Sequence, residues 1–149
     1  MSFDLRLDDV VKENFDEKGV VGEIEINGEV ESFFSPISYW SRSDYYKSWV
    51  ASLEDAWRRT RPAVFIVSMR DPECAQFMFS WVAYFEGEDV YLQNKIIFNN
   101  DLMGKFCIKK INDHFGPRAM CNEDGQRISE WHITKMDITN FFLKIKKNM

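Results

Sequence analysis

Two histidines, His114 and His132, are the side chains in this sequence best suited by ordinary pKa to move protons near neutral pH. A histidine pair with a lysine can cleave RNA, one ring taking the 2′-hydroxyl proton while the other protonates the leaving oxygen. That arrangement is not carried through here. His132 follows Trp131 in an alternating, strand-like run, and His114 falls in a stretch with no clear period, so both read as surface or partly satisfied histidines and no catalytic residue is assigned. Cys74, Cys107 and Cys121 are odd in number and form no C-x-x-C pair, which suits reduced, mostly buried, inert thiols rather than a nucleophile or a disulfide frame. Neither histidine has a ligand partner three or four residues away, and no acidic loop has calcium spacing, so no metal is expected. The seven glycines, Gly104 among them, are dispersed as turn residues, which leaves no phosphate-binding loop and implies no cofactor.

What the chain does concentrate is charge. Residues 1–36 hold ten Asp/Glu against three Lys/Arg, a balance of −7, while the rest of the chain stands at +2. The acidity is therefore an N-terminal property that repels phosphate and attracts a basic partner. Glu23, Glu25, Glu29 and Glu31 stand in two alternating runs around Asn27-Gly28, and Asp8 and Asp9 precede them. Taken alone, this acidic hairpin reads first as a solvated edge that resists aggregation and only second as a binding surface. Aromatic residues on a sheet could instead stack the bases of single-stranded nucleic acid, the alternative reading. That needs a basic groove, and only Arg58 to Arg61, Lys109-Lys110 and the C-terminal lysines offer one, at places where cations oppose a helix dipole.

The elements that must position these residues follow from periodicity. Ala63 to Phe98 reads as three consecutive strands, reversed at Asp71-Pro72 and at Glu86 to Asp89. The middle run places Phe77, Phe79, Trp81, Ala83 and Phe85 on one face and Met78, Ser80, Val82 and Tyr84 on the other, so neither face is expected to stay wet. Asn27-Gly28 between Val20, Ile24, Ile26 and Val30, Phe34 predicts a hairpin. Leu5, Val10, Val11 and Phe15 suggest a short docked helix or an ordered arm before it. A helix opening at Ser41 or Ser43 carries an apolar stripe from Tyr46 to Trp57 and stops at Pro62. Arg127 to Ile133 predicts a further strand, and Thr134 with Asp137 opens a final helix bearing Ile138, Phe141, Phe142 and Ile145. Asn99 to Asp124 stays unread. The expectation is one α+β domain over residues 1–149, mainly an antiparallel sheet in the order ββ-α-βββ-β-α with two principal helices packed on it. No apolar run reaches the roughly 18 residues of a membrane span, and the acidic first residues do not suit a signal peptide. The chain is expected to be cytoplasmic.

Three stretches carry a resemblance: SYWSRSDYYKSWVASLEDAW, AVFIVSMRDPECAQFMFSWVAYFEGEDVYLQN and GPRAMCNEDGQRISEWHITKMDITNFF. Their Y/W-S-x-x-D-Y-x-x-x-W helix (Trp40, Ser41, Asp44, Tyr45, Trp49), S-M-x-D-P turn (Ser68, Met69, Asp71, Pro72), V-Y-x-Q-N strand (Tyr91, Gln93, Asn94) and closing I-S-E-W segment (Ile128, Ser129, Glu130, Trp131) resemble the immunity proteins of bacterial contact-dependent growth inhibition, the CdiI family. The resemblance implies a non-enzymatic cytosolic inhibitor that binds one cognate toxin domain, usually a nuclease and foremost an RNase, as a monomer in a 1:1 complex with no direct nucleic-acid or membrane contact. It also turns the acidic hairpin from a solvated edge into a candidate toxin-binding surface of Glu23, Glu25, Glu29, Glu31, Asp8 and Asp9. The matched residues are mostly aromatic or turn-forming, which suits a shared scaffold better than a shared interface.

Overall fold

Asn27 and Gly28 take φ of 54° and 87°, the positive values that a two-residue hairpin turn with the right-handed twist of its strands requires. They join β3 (Glu17–Ile26) to β4 (Glu29–Pro36) in the computed structural model, which describes residues 1–99 and 106–149. Residues 100–105, part of the stretch left unread above and including Gly104, lie outside the described residues.

The N-terminal segment is neither a helix nor a loose arm. It forms β1 (Phe3–Leu7) and β2 (Lys12–Asn14), both antiparallel to β3, which also carries β4 on its other side. Phe3, Leu5 and Leu7 alternate with Asp4 and Arg6 and are buried, so a period of two was present beneath the acidic composition. The second sheet runs in the order β5 (Ala63–Ser68), β6 (Phe77–Glu86), β7 (Asp89–Phe98), β8 (Trp131–Thr134), all antiparallel. Strand β8 starts later than Arg127 because Arg127 is bridged to Cys121 and Glu130 is held by Arg118.

Helix α1 (Arg42–Arg59) opens with a reciprocal cap, the Ser41 hydroxyl accepting the Asp44 N–H and the Asp44 carboxylate accepting the Ser41 N–H. It ends at Thr60, in the left-handed region at φ 56°, two residues before Pro62. Helix α2 (Lys135–Lys147) repeats the device with Thr134 and Asp137. The segment after residue 105 contains one 3-10 turn, Ile108–Asp113.

One core joins both sheets and both helices. Phe141 of α2 meets Phe3 at 4.9 Å and Phe65 at 6.2 Å between ring centroids, both edge-on. Trp49 of α1 donates its indole N–H to the Ile66 carbonyl at 2.8 Å. The buried Tyr45 hydroxyl donates to the Pro36 carbonyl at 2.6 Å and accepts the Met69 N–H at 2.9 Å, coupling the first sheet to the second. Buried Asn112 accepts from the Ser52 hydroxyl and the Val64 N–H and donates to the Ser52 carbonyl, so the 3-10 turn is pinned to α1 and β5 with its polar atoms satisfied.

The cysteines overturn the burial expected of them. Cys74, Cys107 and Cys121 are free and exposed, each in a connecting segment where no layer covers it. No helix among the described residues is long and apolar enough to cross a membrane.

Candidate functional site

The four hairpin glutamates do not share a face. Directly paired residues of antiparallel strands point to the same side, and Glu29 pairs with Ile26 while Glu31 pairs with Ile24. Glu29 and Glu31 therefore stand on the side of the buried isoleucines, and Glu23 and Glu25 stand on the other with Asp4 and Arg6. Arg6 donates to Asp4 at 2.9 Å and Glu23 at 3.1 Å, with Glu25 at 3.4 Å, and Lys144 reaches Asp4 at 3.0 Å. That side sets three carboxylates against two cations, and the Asp4 hydrogen bond leads in raising the Arg6 pKa. Glu29 and Glu31 are exposed and have no ion pair among the described residues. Asp8 and Asp9 are exposed in the turn after β1. The Val10 and Asp9 N–H groups, donating to the Asp8 carboxylate, lower its pKa.

Of the histidines, His132 lies at the hairpin turn, where its carbonyl accepts the Asn27 side-chain N–H at 3.0 Å. His132 Nε2 lies 2.7 Å from Asp89 Oδ1, and the His114 ring packs edge-on against Phe115 at 4.7 Å.

A cleft of about 460 Å³ opens between the sheets, walled by Ile24, Phe33, Phe34, Val67, Phe79 and Trp81, with Glu31, Ser68 and Asn94 among its polar groups. At its mouth, β2 turns into β3 through Phe15 and Asp16, at φ 49° and 61°. A bulky residue at positive φ is uncommon and strained. Phe15 is also 95% exposed, so it forgoes the roughly 1.5–3 kcal/mol that burying such a side chain supplies. The turn is nonetheless fixed: Arg70 grips Glu17 in a two-point pair at 2.7 and 2.8 Å and donates to Ser68, and this guanidinium lowers the Glu17 pKa.

Beyond the cleft, the expectation that neither sheet face stays wet fails at one end. Strand β5 has six residues while β6 and β7 have ten each, and the β5 register ends at Ser68 opposite Phe79. From that pair to the ends of the strands, Phe77 (39% exposed), Phe79 (38%), Ile96 (44%) and Phe98 (52%) lie bare on one face, where Phe77 pairs with Phe98 and Phe79 with Ile96. Sequence reasoning assigned Phe77 and Phe79 to the core and Phe15 to an arm. Met78 and Ile97 at the same end of the strands are buried on the opposite face, so exposure here is decided by which face another layer packs on, which no local pattern marks.

The residues of the family-like motifs do structural work. Arg118 grips Glu130 at two points, the Arg118 guanidinium sits 3.7 Å over the Tyr91 ring, and Gln93 donates to the Ala119 carbonyl and to Glu130. This cluster clamps the connection before β8 onto the sheet. The family model of the CdiI N-terminal domain matches residues 35–141, from the end of β4 into α2. The chain belongs to the CdiI family. It is 39% identical over 119 residues to the immunity protein CdiI of Enterobacter cloacae subsp. cloacae, spanning 80% of this chain and 81% of that one. Its fold matches a chain of the CdiA-CT/CdiI toxin and immunity complex from Enterobacter cloacae, with a TM-score of 0.91, 32% identity, and coverage of 97% and 99% of the two chains. The family model begins at residue 35, so the hairpin carboxylates and Phe15 lie outside the stretch that this CdiI chain shares with it.

Proposed function

We propose that this CdiI chain neutralises one cognate CdiA C-terminal toxin domain by binding it and covering its active site or substrate path, with no chemistry of its own. The chain acts in the cytoplasm as a monomer in a 1:1 complex, and the toxin is a nuclease, with RNA as its expected substrate. The observation that carries the reading is the N-terminal charge: ten carboxylates against three cations in residues 1–36, beside a remainder close to neutral. A nuclease presents a basic surface to phosphate, and a protein with this charge occupies such a surface in place of the nucleic acid.

Differences in exposure and ion pairing support an order among the six candidate carboxylates. Glu29, Glu31, Asp8 and Asp9 are exposed and supply the long-range attraction, while Glu23 and Glu25 are partly neutralised by Arg6 and contribute less. Co-expression is the test. Cells producing the toxin domain encoded beside this chain survive when the chain is present and die without it, and the two proteins co-purify in equal amounts. Survival that is independent of the chain contradicts the reading.

A further inference from the structure

We infer that the cleft between the sheets, together with Phe15 and the bare aromatic end of β6 and β7, is where the toxin domain docks, receiving a loop that carries apolar and cationic side chains. This rests on the toxin-binding reading and names the surface within it.

The surface is continuous. Phe15 and Phe79 line the same cleft, the Phe77 and Phe79 rings lie 5.3 Å apart, and their cross-strand neighbours Phe98 and Ile96 extend the strip. Contiguous exposed apolar area of this kind marks interaction sites in soluble proteins, and aromatic anchors dominate the energetics of interfaces. Phe15 carries the most weight. Its position is unfavourable twice over, in backbone and in exposure, yet the Arg70–Glu17 pair holds the hairpin in place. A turn held in this way leaves the backbone that presents the ring little freedom to lose on binding.

Charge selects the occupant. The turn's own Lys12, Glu13, Asp16 and Lys18 cancel, Arg70 cancels Glu17, and Glu31 remains at the cleft as an exposed carboxylate with no ion pair among the described residues. A phosphate backbone is repelled there. A second copy of this chain, at net charge −5, would set like charge against like. A cationic protein surface fits, with its basic side chains between Glu31 and the faces of Phe33, Phe79 and Trp81.

The experiment is calorimetric titration of the purified chain with the C-terminal toxin domain of the CdiA protein encoded beside it. Phe15→Asn is expected to weaken binding tenfold or more while raising the melting temperature, because Asn accepts positive φ. A merely structural residue would not give that opposition of signs. Phe79→Ser is expected to weaken binding by a similar factor, and Leu143→Ser, at an exposed apolar position on α2, to stay within twofold. Wild-type binding that Phe15→Asn and Phe79→Ser leave unchanged overturns the docking surface and leaves toxin binding intact. A wild-type chain that fails to bind the toxin domain overturns both. A dimer abolished by these two substitutions, or their loss of an oligouridine probe that the wild type retains, assigns the strip to another occupant and overturns the inference.

Discussion

At the scale of single residues, charge and exposure give separable expectations. Glu31→Lys reverses a free carboxylate at the cleft and should slow toxin association severalfold, whereas Glu23→Lys, on the opposite face of the hairpin and farther from the cleft, should slow it less. Stopped-flow association rates at low salt distinguish the two. The carboxyls of Glu17 and Glu130 are held low by hydrogen bonds from Arg70 and Arg118 respectively. The unfolded chain therefore binds more protons as pH falls, so the stability these pairs supply is complete above the unfolded value of 4.5 and is lost as pH drops through the lower folded values. Urea midpoints between pH 3 and 6 should fall less steeply in Glu130→Gln than in the wild type. The three thiols give a further check: all should react with an aromatic disulfide reagent in the native protein, where buried cysteines would react only after unfolding. Their burial was expected because cysteine is usually an interior residue, and position in a connecting segment outweighed that preference.

At the scale of elements, capping and close packing set the stability. Ser41→Ala removes the side-chain acceptor for the Asp44 N–H and should cost about 1 kcal/mol, read from the denaturation midpoint. Gly22→Ala should cost on the order of 1–3 kcal/mol, because the added carbon would meet the Phe33 ring and Leu7, 2.7 Å from its Cδ2, where β1 and β4 flank β3. The elements with strong local signals were legible in the chain itself. Asn27-Gly28 marked the first hairpin, Ser41 with Asp44 and Thr134 with Asp137 marked both helix starts, and the run from Ala63 to Phe98 marked three strands. Strand β1 carried its period of two in Phe3, Leu5 and Leu7 beneath an acidic composition, and β2 is three exposed residues with no buried face to mark it. Strand β8 was placed too early because the Arg118–Glu130 clamp, which delays it, joins residues twelve apart.

At the scale of the whole molecule, the two sheets share a core but not a complete cover, and the uncovered end is the part that periodicity could not foresee. Alternation along β6 correctly gave the facing of Phe77, Phe79 and Trp81. Which of them water reaches depends on what packs over that face, the first sheet walling the cleft at Trp81 and Phe79, and that sheet is remote in the chain. The acidic candidates were legible as composition, yet their division between two faces follows from the register across Asn27-Gly28, which places Glu29 opposite Ile26. Charge of this distribution acts at long range and is screened beyond about 8–10 Å at physiological ionic strength. Association with the toxin should therefore slow as salt rises, with dissociation, governed by the aromatic strip, changing little. The most direct measurement of neutralisation by occupancy is a titration, with the purified chain, of the cell-free RNA cleavage proposed for the toxin domain. Cleavage should fall linearly and vanish at one equivalent. Cleavage that persists at saturating chain, or that stops when the chain is present in catalytic amounts, would contradict it.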